Sequence, residues 1–109
     1  MPLSVVGLPT LTILNGASTS NAIGTLDDAF GLTLYGPAAV TSTGIRLEVN
    51  PSETSTSGWV TLQSGAADVF IPAGKGTVIS PVTFRQMRLA ASVAEGADRA
   101  FAVTKSILF

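Results

Sequence analysis

The residues that could carry chemistry in this chain are few. Asp27 and Asp28 are adjacent acids that invite a metal-binding reading. Neighbouring residues point in different directions and no third ligand stands near them, so a solvated loop pair is expected instead. Lys75 lies between Gly74 and Gly76 like a fragment of a phosphate-binding loop, but the residue after the lysine is Gly and the full GxxxxGK[ST] pattern is absent, which leaves a turn lysine. Two-carboxylate hydrolysis would draw on Glu48, Glu53, Asp68, Glu95 or Asp98. These fall in turns or on outward strand positions beside Lys or Arg, without the apolar surroundings that raise a general acid's pKa, and are expected to be solvated surface acids. The chain has no histidine and no cysteine, which removes the commonest general base, the Ser-His-Asp and Cys-His arrangements, thiolate metal sites and disulfides. The expectation is a protein with no catalytic residues, no metal and no cofactor.

Two further residue types could recognise a ligand. Trp59, the single tryptophan, begins a strand beside a loop, where it would serve either as a core residue or, with Asn50, as a sugar-stacking platform. The other aromatics are scattered and mostly at expected inward positions, which does not suit stacking on single-stranded nucleic acid. The formal net charge is −1, and the basic residues Arg46, Lys75, Arg85, Arg88, Arg99 and Lys105 are interleaved with acids, so neither nucleic acid nor an anionic membrane is an expected partner.

The elements that position these residues are short strands. The 109-residue chain fits one domain, with 46% hydrophobic and only 12% charged residues, about half the usual charged share. Scarce Lys and Glu, with Thr, Ser, Gly and Ala in their place, favour strands and turns over helices. A surface so poor in charge is weakly protected against association, which suits either a domain whose surface is covered in its working state or a Thr/Ser-rich surface that is simply neutral. Residues 1–9 are apolar but carry Pro2, Gly7 and Pro9, and read as an N-terminal arm or as an edge strand. This stretch lacks a signal peptide's basic region and long apolar core, and no run is long enough to span a membrane, so a soluble chain made in the cytoplasm is expected.

Residues 10–109 read as the domain. Thr10–Leu14 alternates apolar with Thr and stops at Asn15-Gly16. Residues 17–25 are polar with Ile23 as their one large anchor, and 26–30 make a loop or a single helical turn. Gly31–Tyr35 is a strand, residues 38–44 are a connector or short strand, and Ile45–Val49 places Ile45, Leu47 and Val49 on one face with Arg46 and Glu48 on the other. Asn50–Gly58 has no large apolar residue and reads as an exposed loop open to a partner. Strands follow at 59–63, 67–71, 77–79 and 86–92, the last with Met87, Leu89 and Ala91 on one face, and a final strand runs from Arg99 to the end with Phe101 and Val103 inward. Roughly eight or nine short strands at ~10-residue spacing predict an all-β fold: one small β-sandwich with jelly-roll or Greek-key connections.

The order of these segments resembles a group of small tailed-bacteriophage and prophage virion proteins. The resemblance rests on Leu11–Ser18, Ser20-Asn21-Ala22-Ile23, Gly31–Ala39, Ile45–Val49, Gly58–Leu62, Val69–Lys75, Phe84–Ser92 and Asp98–Val103. It spans most of the chain, and every shared pattern is a strand with its turn. It implies a structural protein of the virion exterior that decorates and cements the assembled capsid, with the major capsid protein lattice as partner and with self-association, as a trimer or other homo-oligomer, open to it. A head–tail connector, a tail component or a carbohydrate- or receptor-binding module are the alternatives. The expected partner contacts are Pro2, Leu3, Val5, Val6 and Leu8 of the N-terminal segment, Ser52, Glu53, Thr54, Ser55, Thr56 and Ser57 of the loop, and Ile107, Leu108 and Phe109 of the tail.

Overall fold

A computed structural model describes residues 3–24 and 26–108 of the chain, with the backbone alone at Leu3. Nine strands are formed: β1 (Leu3–Ile13), β2 (Gly31–Tyr35), β3 (Ile45–Asn50), β4 (Val60–Thr61), β5 (Gln63–Ser64), β6 (Ala67–Asp68), β7 (Gly76–Ile79), β8 (Gln86–Ala91) and β9 (Arg99–Leu108). The fold is all-β and antiparallel throughout.

The first sheet has the order β1-β9-β2-β7 and the second β4-β3-β8, while β5 and β6 form a small hairpin. Two stretches without long ladders widen the second sheet. Residues 18–23 run beside β8 through Thr19–Ala90 and Ile23–Met87 bridges, and residues 69–71 join β3 through the Arg46–Phe70 bridge. Pairing is nested: the first strand lies on the last, residues 18–23 on the last but one, and β2 and β3 fill the two sheets inside them.

Alternation along each strand decides what is buried. Leu11, Ile13, Leu32, Leu34, Ile79, Phe101 and Val103 of the first sheet meet Ile45, Leu47, Val49, Met87, Leu89 and Ala91 of the second in one core. Ile23, Leu26, Ile71 and Phe84 close its ends. The alternating Ile45–Val49 pattern and the inward Phe101 and Val103 are thus the core positions expected from the sequence.

The polar stretch 18–23, to which its sequence assigns no element, forms sheet because its backbone bonds to β8 directly: the Ser20 N–H donates to the Leu89 carbonyl at 3.0 Å and the Ile23 N–H to that of Met87 at 2.9 Å. The strand expected over 59–63 is broken into β4 and β5, since the Leu62 carbonyl accepts from the Val69 N–H at 2.9 Å and the Leu47 N–H donates to the Val69 carbonyl at 3.1 Å. Phe30, Phe70 and Tyr35 are exposed instead of inward. Phe70 falls on the outward side of the second sheet, and its ring lies over Gly44, where an added Cβ would stand 2.9 Å from it.

β1 carries one irregularity. Its register with β9 shifts between Leu8 and Leu11, so Pro9 and Thr10 bulge the strand. The segment expected to be an arm or an edge strand is continuous with β1 from Leu3 onward and lies at the edge of the first sheet. Met1, Pro2, Thr25 and Phe109 lie outside the described residues.

A close backbone approach fixes the turn after β2. A Cβ added to Gly36 would stand 2.1 Å from the Pro72 carbonyl oxygen, whereas one added to Gly7 meets nothing within 4 Å. Gly36→Ala is therefore expected to cost about 2–4 kcal/mol, with Gly7→Ala within about 0.5 kcal/mol of the parent. Urea unfolding midpoints of the two variants check this.

Candidate functional site

The two outer faces of the sandwich differ in charge, and that difference defines the candidate site. On the first sheet the outward positions form rows across the strands: Val5, Ser106 and Gly31; then Gly7, Thr104, Thr33 and Val78; then Ala102, Tyr35 and Gly76; then Thr12 and Ala100. None is charged. Val5 and Val78 are 70% and 69% exposed, and Phe30 and Tyr35 nearly half. Between Val5 and Val78 lies a shallow trough of about 190 Å³, floored by Gly31, Thr33, Thr104 and Ser106. Lys105 reaches its rim from the inward row, with its ammonium turned to Asp28 at 2.7 Å. Small β-branched and hydroxyl side chains make this face flat and cheap to desolvate, because no ion has to leave water.

The second sheet presents the opposite surface. Glu48 and Arg88 face each other across β3 and β8 with Arg88 Nε 2.7 Å from Glu48 Oε1. The Arg88 guanidinium also lies 4.6 Å from the centre of the Trp59 ring, a cation–π contact. Trp59 is half-buried and lines a hollow with Ser20, Thr54, Thr56, Gln86 and Arg88. One face of its ring is thus already occupied.

The residues expected to contact a partner fall in two groups. Val5 stands on the charge-free face, while Val6 and Leu8 belong to the inward row and are exposed and half-buried respectively. Ile107 and Leu108 lie on β9 opposite Ser4 and Leu3, so the N-terminal and C-terminal segments form one ribbon. Pro2 and Phe109 are outside the described residues, and Leu3 is described by its backbone alone. The loop 52–57 is separate, at the end of the second sheet. Glu53, Thr54, Thr56 and Ser57 are exposed there, and Ser52 and Ser55 half-buried. It is joined to the ribbon's end of the molecule through neighbouring loops: the Arg85 N–H donates to the Asn50 carbonyl at 3.0 Å, Arg85 stands 3.6 Å from Asp27, and Lys105 pairs with Asp28.

That pairing also accounts for the adjacent acids. Asp27 and Asp28 turn to different cations, and the hydrogen bond from Lys105 holds the Asp28 carboxyl below its ordinary value despite some desolvation.

Asn50 is not available to a ligand. It is 1% exposed, its Nδ2 donates to the Ser57 carbonyl at 2.8 Å, and its Oδ1 accepts from the Ser52 N–H at 3.0 Å. Gln86, also buried, donates to the Ser52 and Ser55 carbonyls at 2.8 and 2.9 Å. The plain loop read from sequence is therefore tied down by two amides beneath it.

Glu95 is the largest correction. Expected as a solvated surface acid, it is 1% exposed. Its Oε1 accepts from the Thr41 N–H at 2.7 Å and from Arg99 Nε at 3.0 Å, and its Oε2 from the Ser42 N–H at 2.9 Å. Its backbone bonds to Gly16 and Ala17 as well. Burial pushes this carboxyl up, but the two backbone donors and Arg99 outweigh it, and the net shift is downward. Nothing in the AEGA turn itself signals this, because the donors lie more than 50 residues away in sequence.

Because the folded pKa lies below the ordinary value of 4.5, the stabilisation from Glu95 is complete above that pH and is lost as pH falls through the folded value. Glu95→Ala, which strands Arg99 and two N–H groups, is expected to lose about 3 kcal/mol at pH 7, and its deficit should shrink in acid. Chemical denaturation of both proteins between pH 7 and acid, on the scale of carboxylate titration, measures it. Compared with models of known protein families and with curated protein sequences, the chain matches none.

Proposed function

We propose that this chain is a non-enzymatic structural protein of a tailed-phage virion, a decoration or cement protein that binds the exterior of the assembled capsid and stabilises it. The observation that carries the reading is the charge-free outer face of β1-β9-β2-β7, with Val5, Phe30, Tyr35 and Val78 exposed on it. A face of this kind suits a static, extensive contact better than a small-ligand site. It offers area without directional donors, and repetition over a lattice turns modest single contacts into firm attachment.

Two further features favour it. The pairing of first strand with last is in keeping with a jelly-roll reading of the fold, a sandwich type used in viral capsid domains. The segment order resembles that of small phage virion proteins, as described above. Fold alone does not assign a role, so the surface has to bear the argument. The carbohydrate-binding alternative is weakened, since Asn50 is consumed within the fold and Arg88 covers one face of Trp59. A connector or tail component would use the same face and differs in copy number.

Quantitative mass spectrometry of purified particles tests the reading. A copy number comparable with that of the major capsid protein is expected, and only a handful of copies per particle would move the protein to the connector or tail. Val78→Lys places a charge on the neutral face at an exposed position of its β7 edge. It is expected to leave the melting temperature within about 2 °C of the parent while weakening binding to undecorated capsids at least tenfold, roughly 1.4 kcal/mol per copy. Undiminished binding would remove this face from the contact.

A further inference from the structure

The edge of the first sheet is guarded along only half its length. From Thr10 to Thr12 the outer edge of β1 is covered by Asn21, whose Oδ1 accepts from the Thr12 N–H at 2.8 Å and whose Nδ2 donates to the Thr10 carbonyl at 3.1 Å. Pro9, which has no N–H, and the bulge beside it break the edge just before that cap. The six residues from Leu3 to Leu8 have none of these protections. They contain no charge and no proline, and among the described residues no strand pairs with their outer row of backbone donors and acceptors.

The first residues of this segment project beyond the sandwich. β2 pairs with β9 only as far as Ser106, so the last part of the β1–β9 ladder is a two-stranded ribbon. Such a ribbon is marginal in water unless something else packs on it. That ribbon is Leu3-Ser4 against Ile107-Leu108, with Leu108 exposed at its tip, and the sheet positions next to it are also apolar and exposed, Val5 outward and Val6 on the inward row.

We infer that two copies of this chain pair through Leu3–Leu8 of β1, antiparallel about a two-fold axis near Val5, joining their first sheets into one eight-stranded sheet. An isologous pair needs a surface that is complementary to itself, and a strand edge meets that requirement through its backbone. The side chains allow it too. β1 has no charge to repel its own copy, and the nearest cation, Lys105, sits one strand back and is tied to Asp28. The other edge, β7, is a worse partner because it offers four residues against six and begins beside Lys75. The bulge at Pro9 and the Asn21 cap set the length of the pairing. The pair places two charge-free faces side by side in one continuous surface, although it does not depend on what that surface binds.

Sedimentation equilibrium or light scattering of the purified full chain, followed to about 1 mM, tests the pairing. The parent is expected at twice the chain mass, and Val5→Lys at the monomer mass until at least about tenfold higher concentration. A parent that stays monomeric throughout, or a Val5→Lys variant that dimerises like the parent, overturns the inference. The absence of native cysteine permits a second measurement that does not depend on a charged variant folding well. Under mild oxidation Val5→Cys, which faces its own copy across the axis, should form a disulfide-linked dimer much faster than Val78→Cys, which is equally exposed on the other edge of the sheet. Equal rates at the two edges would show random collision and overturn it.

Discussion

The pairing of the first strand with the last governs this molecule. β1 and β9 run together from Leu3–Leu108 to Ile13–Arg99, and β2 then joins β9 from the other side. Of the first sheet only the β2–β7 pair forms without β9, and β1 has no place in it until β9 is there to receive it. Leu11, Phe101, Val103 and Leu34, which sit side by side in the core, come from opposite ends and the middle of the sequence. The fold is built from contacts of high sequence separation, and its stability is correspondingly shared, since removing either outer strand uncovers the inner row of its neighbour.

Most of the ion-paired charges are used inside that frame to tie loops. Four ion pairs are formed among the described residues. Three of them, Arg85–Asp27, Arg99–Glu95 and Lys105–Asp28, join segments at the two ends of the sandwich, while Arg88–Glu48 lies across the second sheet. Glu95 is the most committed of them, for it binds the 41–42 connector, the turn at 16–17 and the start of β9 at once. Exposed pairs at these distances contribute little, but a buried carboxylate with three donors resists opening, because any opening strands charge away from water. Spending the charges at the ends is what leaves the first sheet's outer face neutral.

Much of this frame was legible in the sequence where large apolar residues alternate. Ile45–Val49 and the final strand could be oriented correctly because a one-residue slip would turn every large side chain outward. Residues 18–23 were not legible: Ser, Thr, Asn and Ala carry no hydrophobic period, and their place beside β8 is set by backbone bonds and the Ser20 hydroxyl, which accepts from the Leu89 N–H at 2.8 Å. Asn50 and Glu95 failed for a related reason. A buried polar residue is decided by its distant partners, and a single chain read along its length does not display them. The neutral face was visible only as a low charge count. It took the strand register to bring Thr33, Thr104 and Val78 into one row and to show that the missing charge is missing from one side.

The ribbon formed by the two ends has a mechanical meaning as well. Leu3 and Leu108 are direct partners, so tension applied at the two ends would pull the ladder apart one residue pair at a time, as a zipper opens. A load applied across the broad sheets would instead have to shear several strands together. The molecule is therefore weak along the line joining its ends and strong through its faces.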